Sequence, residues 1–236
     1  MKRLNRTFIA AALLVFLAGS LAPALAAQSI WQRMAQGFPN SLVVYEYVYE
    51  YEGPGLTVSA QIPQLIGAPD LAWQEAFNQG LRDNLADYAS WLKDIAAEAL
   101  ELDSEYRPQP YAGFVDFEVK LNQGGLLSIA VVNYVYTGGA HGMTYYDYLN
   151  IDLTCGQPIS FSQIFDTEAE IERAAAVIAE QIKQERDLFF DDTFTSDQFR
   201  EDQGFYLQEN HAVICFTLYE LAPYSSGIPE FAISAP

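Results

Sequence analysis

Hydrophobic and polar positions alternate strictly in two places near the start of the chain. Tyr45, Tyr47, Tyr49 and Tyr51 are separated by Glu46, Val48 and Glu50, and Leu56, Val58, Ala60 and Ile62 repeat the two-residue period after Glu52-Gly53-Pro54-Gly55. A period of two puts alternate side chains on opposite faces, so the pair reads as a β-hairpin, with its tyrosines on a face that a helix would cover. The period then changes. Phe77, Leu81, Leu85, Tyr88, Leu92, Ile95, Ala99 and Leu102 recur at steps of three and four between acidic and basic residues, predicting one amphipathic helix over 70–102 that covers the hairpin. Pro108 and Pro110 end it and mark an internal boundary.

Alternation returns at Val115, Phe117, Val119 and Leu121, and the turn Asn122 to Gly125 leads into the more apolar run Leu126 to Tyr136. An aromatic run from Tyr145 to Leu153 follows, so three adjacent antiparallel strands are expected. Thr167-Glu168-Ala169-Glu170 fits a capping box opening a second helix, whose apolar stripe is Ile171, Ala175, Ile178, Ile182 and Phe189. Phe205 to Leu207 and Ala212 to Leu218 form a last hairpin before an extended tail, and 28–40 reads as a weakly structured lead. The pattern as a whole predicts an α+β fold of two small antiparallel sheets, each covered by a long helix, after a signal peptide.

The first 27 residues carry that signal. Lys2, Arg3 and Arg6 precede an apolar run from Phe8 to Ala18, and Ala24-Leu25-Ala26-Ala27 offers small residues for cleavage after Ala26 or Ala27. The run is short for a membrane span, and nothing after Gln28 resembles one. Roughly 210 residues follow, enough for one substantial core or two small ones. They divide by pattern into 40–108, hairpin plus long helix, and 111–236.

Charge narrows the partners. Three of the twelve Lys and Arg precede residue 28, so the remainder sets nine against thirty-one Asp and Glu, a formal −22. Such a surface disfavours nucleic acid and anionic membrane and suits a basic protein. Cys155 and Cys215 enter an oxidising compartment together on export, where they can form a disulfide; the sequence leaves their pairing open. They and the two histidines have no metal-ligand spacing, and Asp191, Asp192 and Asp197 lack the alternating ligands and glycine of a calcium loop. No nucleophile elbow, phosphate loop or dinucleotide fingerprint is present, and no cofactor is implied.

The densest stretch is Tyr136-Thr137-Gly138-Gly139-Ala140-His141-Gly142, which joins two predicted core strands. Glycines reach positive φ without steric cost, so the join is a tightly shaped turn whose backbone can approach a partner closely. Tyr136, Gly138, Gly139, His141, Gly142, Tyr145 and Tyr146 are therefore the candidate binding residues. An inert turn that merely needs its glycines is the competing reading.

This stretch, with Asn150-Ile151-Asp152-Leu153, Ile159 to Phe165 and Tyr219-Glu220-Leu221-Ala222-Pro223-Tyr224-Ser225-Ser226-Gly227, resembles the extracellular C-terminal domain of the RsiV family of lysozyme-sensing anti-sigma factors, across about 113–233. The first half, at about 40–105, resembles the accessory domain of PdaC-type peptidoglycan deacetylases. Neither the sigma-binding segment of the one nor the catalytic domain of the other is recognisable in this sequence. The resemblance implies an exported, non-catalytic binding module of the bacterial envelope, secreted or wall-associated, with a lysozyme-like basic protein or peptidoglycan as partner. Two other readings stand beside it: a peptidoglycan-modifying enzyme using His141 as acid or base with Asp147 or Asp152 orienting it, and a domain that stabilises an envelope assembly.

Overall fold

A computed structural model describes residues 28–102 and 110–235, with Leu102 described in its backbone alone. The expected signal peptide lies outside these residues, as does Pro108. Two structural units divide the chain. The first holds Ser41–Glu118 and Val131–Asp147; the second holds 28–40, Val119–Ala130 and 148–235.

In the first unit, β1 (Val43–Gly53) and β2 (Leu56–Ile66) form the expected hairpin, antiparallel in unbroken register from Val43 opposite Ile66 to Gly53 opposite Leu56. Helix α2 (Leu71–Leu102) begins where Asp70 Oδ1 accepts from the amides of Ala72 and Trp73, at 2.9 and 3.0 Å. An aspartate at this position satisfies amides that have no helical partner. The helix buries Phe77, Leu81, Leu85, Tyr88 and Leu92 of the expected stripe together with Trp73, Ala89 and Ala96, while Ile95 and Ala99 of that stripe are half-buried. Facing them is the inward side of β2, where Leu56, Val58, Ala60 and Ile62 are buried. Asn78 fastens helix to strand: its Oδ1 accepts from Leu65 N at 2.7 Å and its Nδ2 donates to Leu65 O at 2.9 Å. Both polar groups of one buried backbone residue are thereby satisfied by one side chain.

Strand β3 (Tyr111–Gln123) pairs with β2 in parallel, Leu56 opposite Tyr111 through Ala60 opposite Val115. With β4 (Leu126–Tyr136), β5 (Met143–Asp152) and the short β6 (Gln157–Pro158) it completes a six-stranded sheet in the order β1-β2-β3-β4-β5-β6. The three central strands are adjacent in chain order, as expected. The α+β class with two sheets and covering helices is the observed class. The parallel junction between β2 and β3 had no signature in either strand's periodicity, because alternation reports which face is buried and not which neighbour lies alongside.

The second unit has its own core. The 28–40 lead, expected to be weakly structured, contains the helix α1 (Ile30–Met34), capped reciprocally by Ser29 and Gln32. Trp31 and Met34 bury beside Leu126, Phe165, Ile178, Phe205, Phe216 and Phe231, and Trp31 Nε1 donates to Ile164 O at 3.2 Å. After the single turn α3 (Phe161–Ile164), helix α4 (Glu168–Gln184) starts at the predicted capping box, with Glu170 N donating to Thr167 Oγ1 at 3.2 Å. Its buried residues are Ala174, Ala175, Ile178 and Ile182. Strands β7 (Gly204–Gln208), β8 (His211–Cys215) and β9 (Glu230–Ser234) make an antiparallel sheet in that order. β9 occupies what was expected to be an extended tail; Phe231 and Ile233 alternate inward between exposed Glu230 and Ser234, a strand too short to stand out from the sequence.

Cys155 and Cys215, for which a disulfide was left open, are both free thiols. Cys155 is exposed in the turn after β5. Cys215 is buried on β8, and burial pushes its thiol up to about 12.

Candidate binding surface

The connection between β4 and β5, residues 137–142, belongs to the first unit, and its three glycines serve two different needs. Gly138 and Gly139 both sit at φ +94°, where a side chain is strained whatever space surrounds it. Gly142 has no such φ; a Cβ there would overlap the ring of Tyr134, so it is close packing that requires glycine. The Tyr136 hydroxyl donates to Gly139 O at 3.0 Å and closes the turn. His141 Nδ1 lies 2.9 Å from Gly142 O; a carbonyl only accepts, so this nitrogen carries the proton.

The turn is tied to the helix behind the sheet. Tyr134 O accepts a 2.9 Å bond from the hydroxyl of Tyr88 on α2, whose burial drives the phenol well above its ordinary range. One strand residue thus presses its ring on Gly142 and anchors its carbonyl to α2, which holds the connection in place.

Of the expected binding residues, Tyr136, Gly138, Gly139, His141 and Gly142 form one small structure. Tyr145 and Tyr146 are exposed at 47% and 38%, but as successive strand residues they point to opposite faces. They share the outer edge of β5 instead. β6 pairs only with Ile151 and Asp152, so among the described residues no strand lies beside the first part of β5. A partner docking along that edge reaches both rings.

The two carboxylates considered as orienting groups for His141 have other partners. Asp147 accepts from Asn133 Nδ2 at 2.9 Å; burial raises its carboxyl to about 6, against the lowering effect of that bond. Asp152, in the second unit, receives Arg33 in a two-pronged pair of 2.6 and 2.8 Å. Burial pushes the Asp152 carboxyl up, and the bonds from Arg33 and Thr154 outweigh it and hold it below its usual range. Arg33 Nε donates to Gly124 O and its Nη2 also donates to Gly125 O, so Arg33 pins the turn between β3 and β4.

A second surface escaped the sequence reading. A shallow groove of about 430 Å³ is bordered by Glu50, Tyr51, Ser59, Phe114 and Tyr134 in the first unit. Its only sequence signal was the Tyr and Glu alternation of β1. The expectation that a helix covers the tyrosine face holds for part of it: Tyr49 and Tyr51 lie under Lys93 of α2, whose Nζ is 4.2 Å from the Tyr51 ring centre, whereas Tyr45 and Tyr47 stay exposed.

Comparison with known proteins places these two regions. Residues 49–144 match the family described as Deacetylase PdaC, and residues 162–235 match DUF3298, a protein family of unknown function. The chain carries a DUF3298, RsiV-like C-terminal domain with a PdaC-like region before it. The anti-sigma-V factor RsiV of Bacillus subtilis is 25% identical over 186 residues, 75% of this chain and 62% of that protein. The peptidoglycan-N-acetylmuramic acid deacetylase PdaC of the same organism is 24% identical over 147 residues, 60% of this chain and 32% of that protein. The chain therefore spans about a third and about three-fifths of these relatives. In fold it is similar to a crystal structure of a DUF3298 family member from Bacteroides fragilis, at a TM-score of 0.61 and 17% identity, over 82% of this chain and 90% of the other. The likeness to RsiV and PdaC supports an envelope-associated DUF3298 domain. The PdaC match runs through residue 144, so the 137–142 connection, read from sequence with the RsiV-like half, falls inside the PdaC-like region. No helix among the described residues is long and apolar enough to cross a membrane.

Proposed function

We propose that this chain is an extracytoplasmic, non-catalytic binding module of the cell envelope, and that the 136–146 connection with the adjacent edge of β5 is its contact surface. The observation that carries the reading is the form of that surface. A backbone fixed by Tyr136, Tyr134 and Tyr88 stands next to two exposed tyrosines on the part of β5 that β6 does not pair. Rigid aromatic groups make contacts at low entropic cost, and tyrosine is enriched where interfaces concentrate their energy. The formal −22 of residues 28–236 favours a basic protein of the lysozyme kind, the partner that the RsiV resemblance implies, over an anionic wall polymer.

The test is calorimetric titration of the exported chain with an animal-type lysozyme, beside the double variant Tyr145→Ala/Tyr146→Ala. A melting curve of the variant, taken beside the titration, checks that it remains folded. We expect its affinity to fall about tenfold or more. Equal affinities for the two chains would overturn the assignment of the surface. Sedimentation with purified peptidoglycan distinguishes a wall ligand from a protein one.

A further inference from the structure

The outermost strand of the first unit, β1, has a different set of unused groups. It pairs with β2 along its whole length and has no second strand beside it among the described residues, so its outward backbone amides and carbonyls form an edge eleven residues long. Edges of this kind are templates for strand addition, and proteins blunt them with charged side chains, prolines or bulges. β1 has no proline and no bulge. Its register is unbroken, and its only charges are Glu46, Glu50 and Glu52, all exposed.

The two faces of the edge differ. Tyr45, Tyr47, Tyr49 and Tyr51 lie opposite Gln64, Ile62, Ala60 and Val58, which puts them on the α2 side. There Lys93 already covers Tyr51, and Tyr45 and Tyr47 remain 42% and 41% exposed beyond it. The other face presents Glu46, Val48 and Glu50, with Val48 52% exposed. A second copy of β1 is a poor occupant. Antiparallel pairing centred on Val48 would set Glu46 against Glu50 twice, and like charges directly opposite one another destabilise a strand pair. The same geometry rewards lysine or arginine on the Glu46, Val48 and Glu50 face, where the aliphatic stem of a lysine can lie along Val48, while apolar side chains on the other face meet the rings of Tyr45 and Tyr47.

We propose that β1 is a strand-addition site for an extended segment of a partner chain in which lysine or arginine alternates with apolar residues. The proposal rests on reading the chain as a binding module, but on residues that the 136–146 surface does not use. Backbone pairing supplies the affinity, and the glutamates select the partner and reject self-association.

The probe is a synthetic peptide of roughly ten residues alternating lysine and valine, the length of an ordinary strand pairing. It is followed by fluorescence anisotropy and by amide shifts of the full exported chain. We expect binding at low salt with shifts centred on 43–53, and none from the same peptide N-methylated throughout its backbone, which keeps the charge and removes the ladder donors. In the variant Glu46→Lys/Glu50→Lys we expect affinity for the lysine peptide to fall about tenfold and a glutamate-valine peptide to bind in its place. Absence of binding, shifts centred on 136–146, equal binding of the N-methylated peptide, or an unchanged preference in the reversed variant would each overturn the proposal. The lysozyme titration of Tyr145→Ala/Tyr146→Ala reads the other surface, so either reading can fail alone.

Discussion

Gly142 and Gly139 stand three residues apart in one turn and respond to substitution for different reasons. Gly142→Ala drives a Cβ into the Tyr134 ring, and overpacking of that kind costs about 1–3 kcal/mol. Gly139→Ala meets nothing within 4 Å and suffers only the strain of its φ of +94°, about 1 kcal/mol. Urea unfolding of the two variants should rank Gly142→Ala as the more damaging. The sequence made the density of glycine legible but not this division, because Tyr134 lies eight positions away and meets Gly142 only through packing. Asp147 gives a pH signature. Its folded carboxyl titrates near 6, above the ordinary value near 3.8, so the protonated form is the one the fold favours. Its contribution is complete below about pH 4 and is lost as the pH rises through about 6, by at most about 3 kcal/mol. Asp147→Asn keeps a neutral group beside Asn133 and should remove that pH-dependent part of the unfolding free energy. An unchanged slope between pH 4 and 6 would contradict the raised value.

Elements were legible where a long stripe or a cap announced them. The α2 stripe and the Thr167 capping box are visible in residue spacing alone, and Thr167→Ala should lower stability by about 1 kcal/mol in thermal unfolding. Short elements were not. α1 is only Ile30–Met34, one turn held by Trp31 and Met34 against residues far along the chain, and β9 needs β8 to become a strand at all. Buried polar joints were equally silent. In the second unit Ser128 Oγ donates to Asn150 Oδ1 at 2.7 Å, Asn150 Nδ2 donates to Phe205 O at 2.7 Å, and Leu207 N donates to Ser128 Oγ at 2.9 Å. This linkage fastens β4 and β5 to β7 through groups that have left water together. Asn150→Leu orphans the Phe205 carbonyl and one partner of Ser128, and should cost about 2–4 kcal/mol by chemical denaturation. Asn150 entered the sequence reading only as part of a family-like motif; these bonds explain why a polar side chain is buried there.

At the scale of the molecule, composition carried more of the argument than any single residue. The excess of thirty-one acids over the basic residues spreads a negative field that no helix or strand owns, and the fold adds two places where that field meets exposed tyrosine: the β5 edge and β1. The first depends on how little of β5 the short β6 pairs and the second on β1 ending the row, and row order comes from pairings such as β2 with β3 that the two-residue period does not encode. Charge steering predicts that association with a basic partner weakens as salt rises while the buried aromatic contacts persist. The most direct measurement is therefore the affinity of the exported chain for an animal-type lysozyme at low and at moderate ionic strength. We expect retention at both, tighter at low salt. No retention at either would contradict the proposed function.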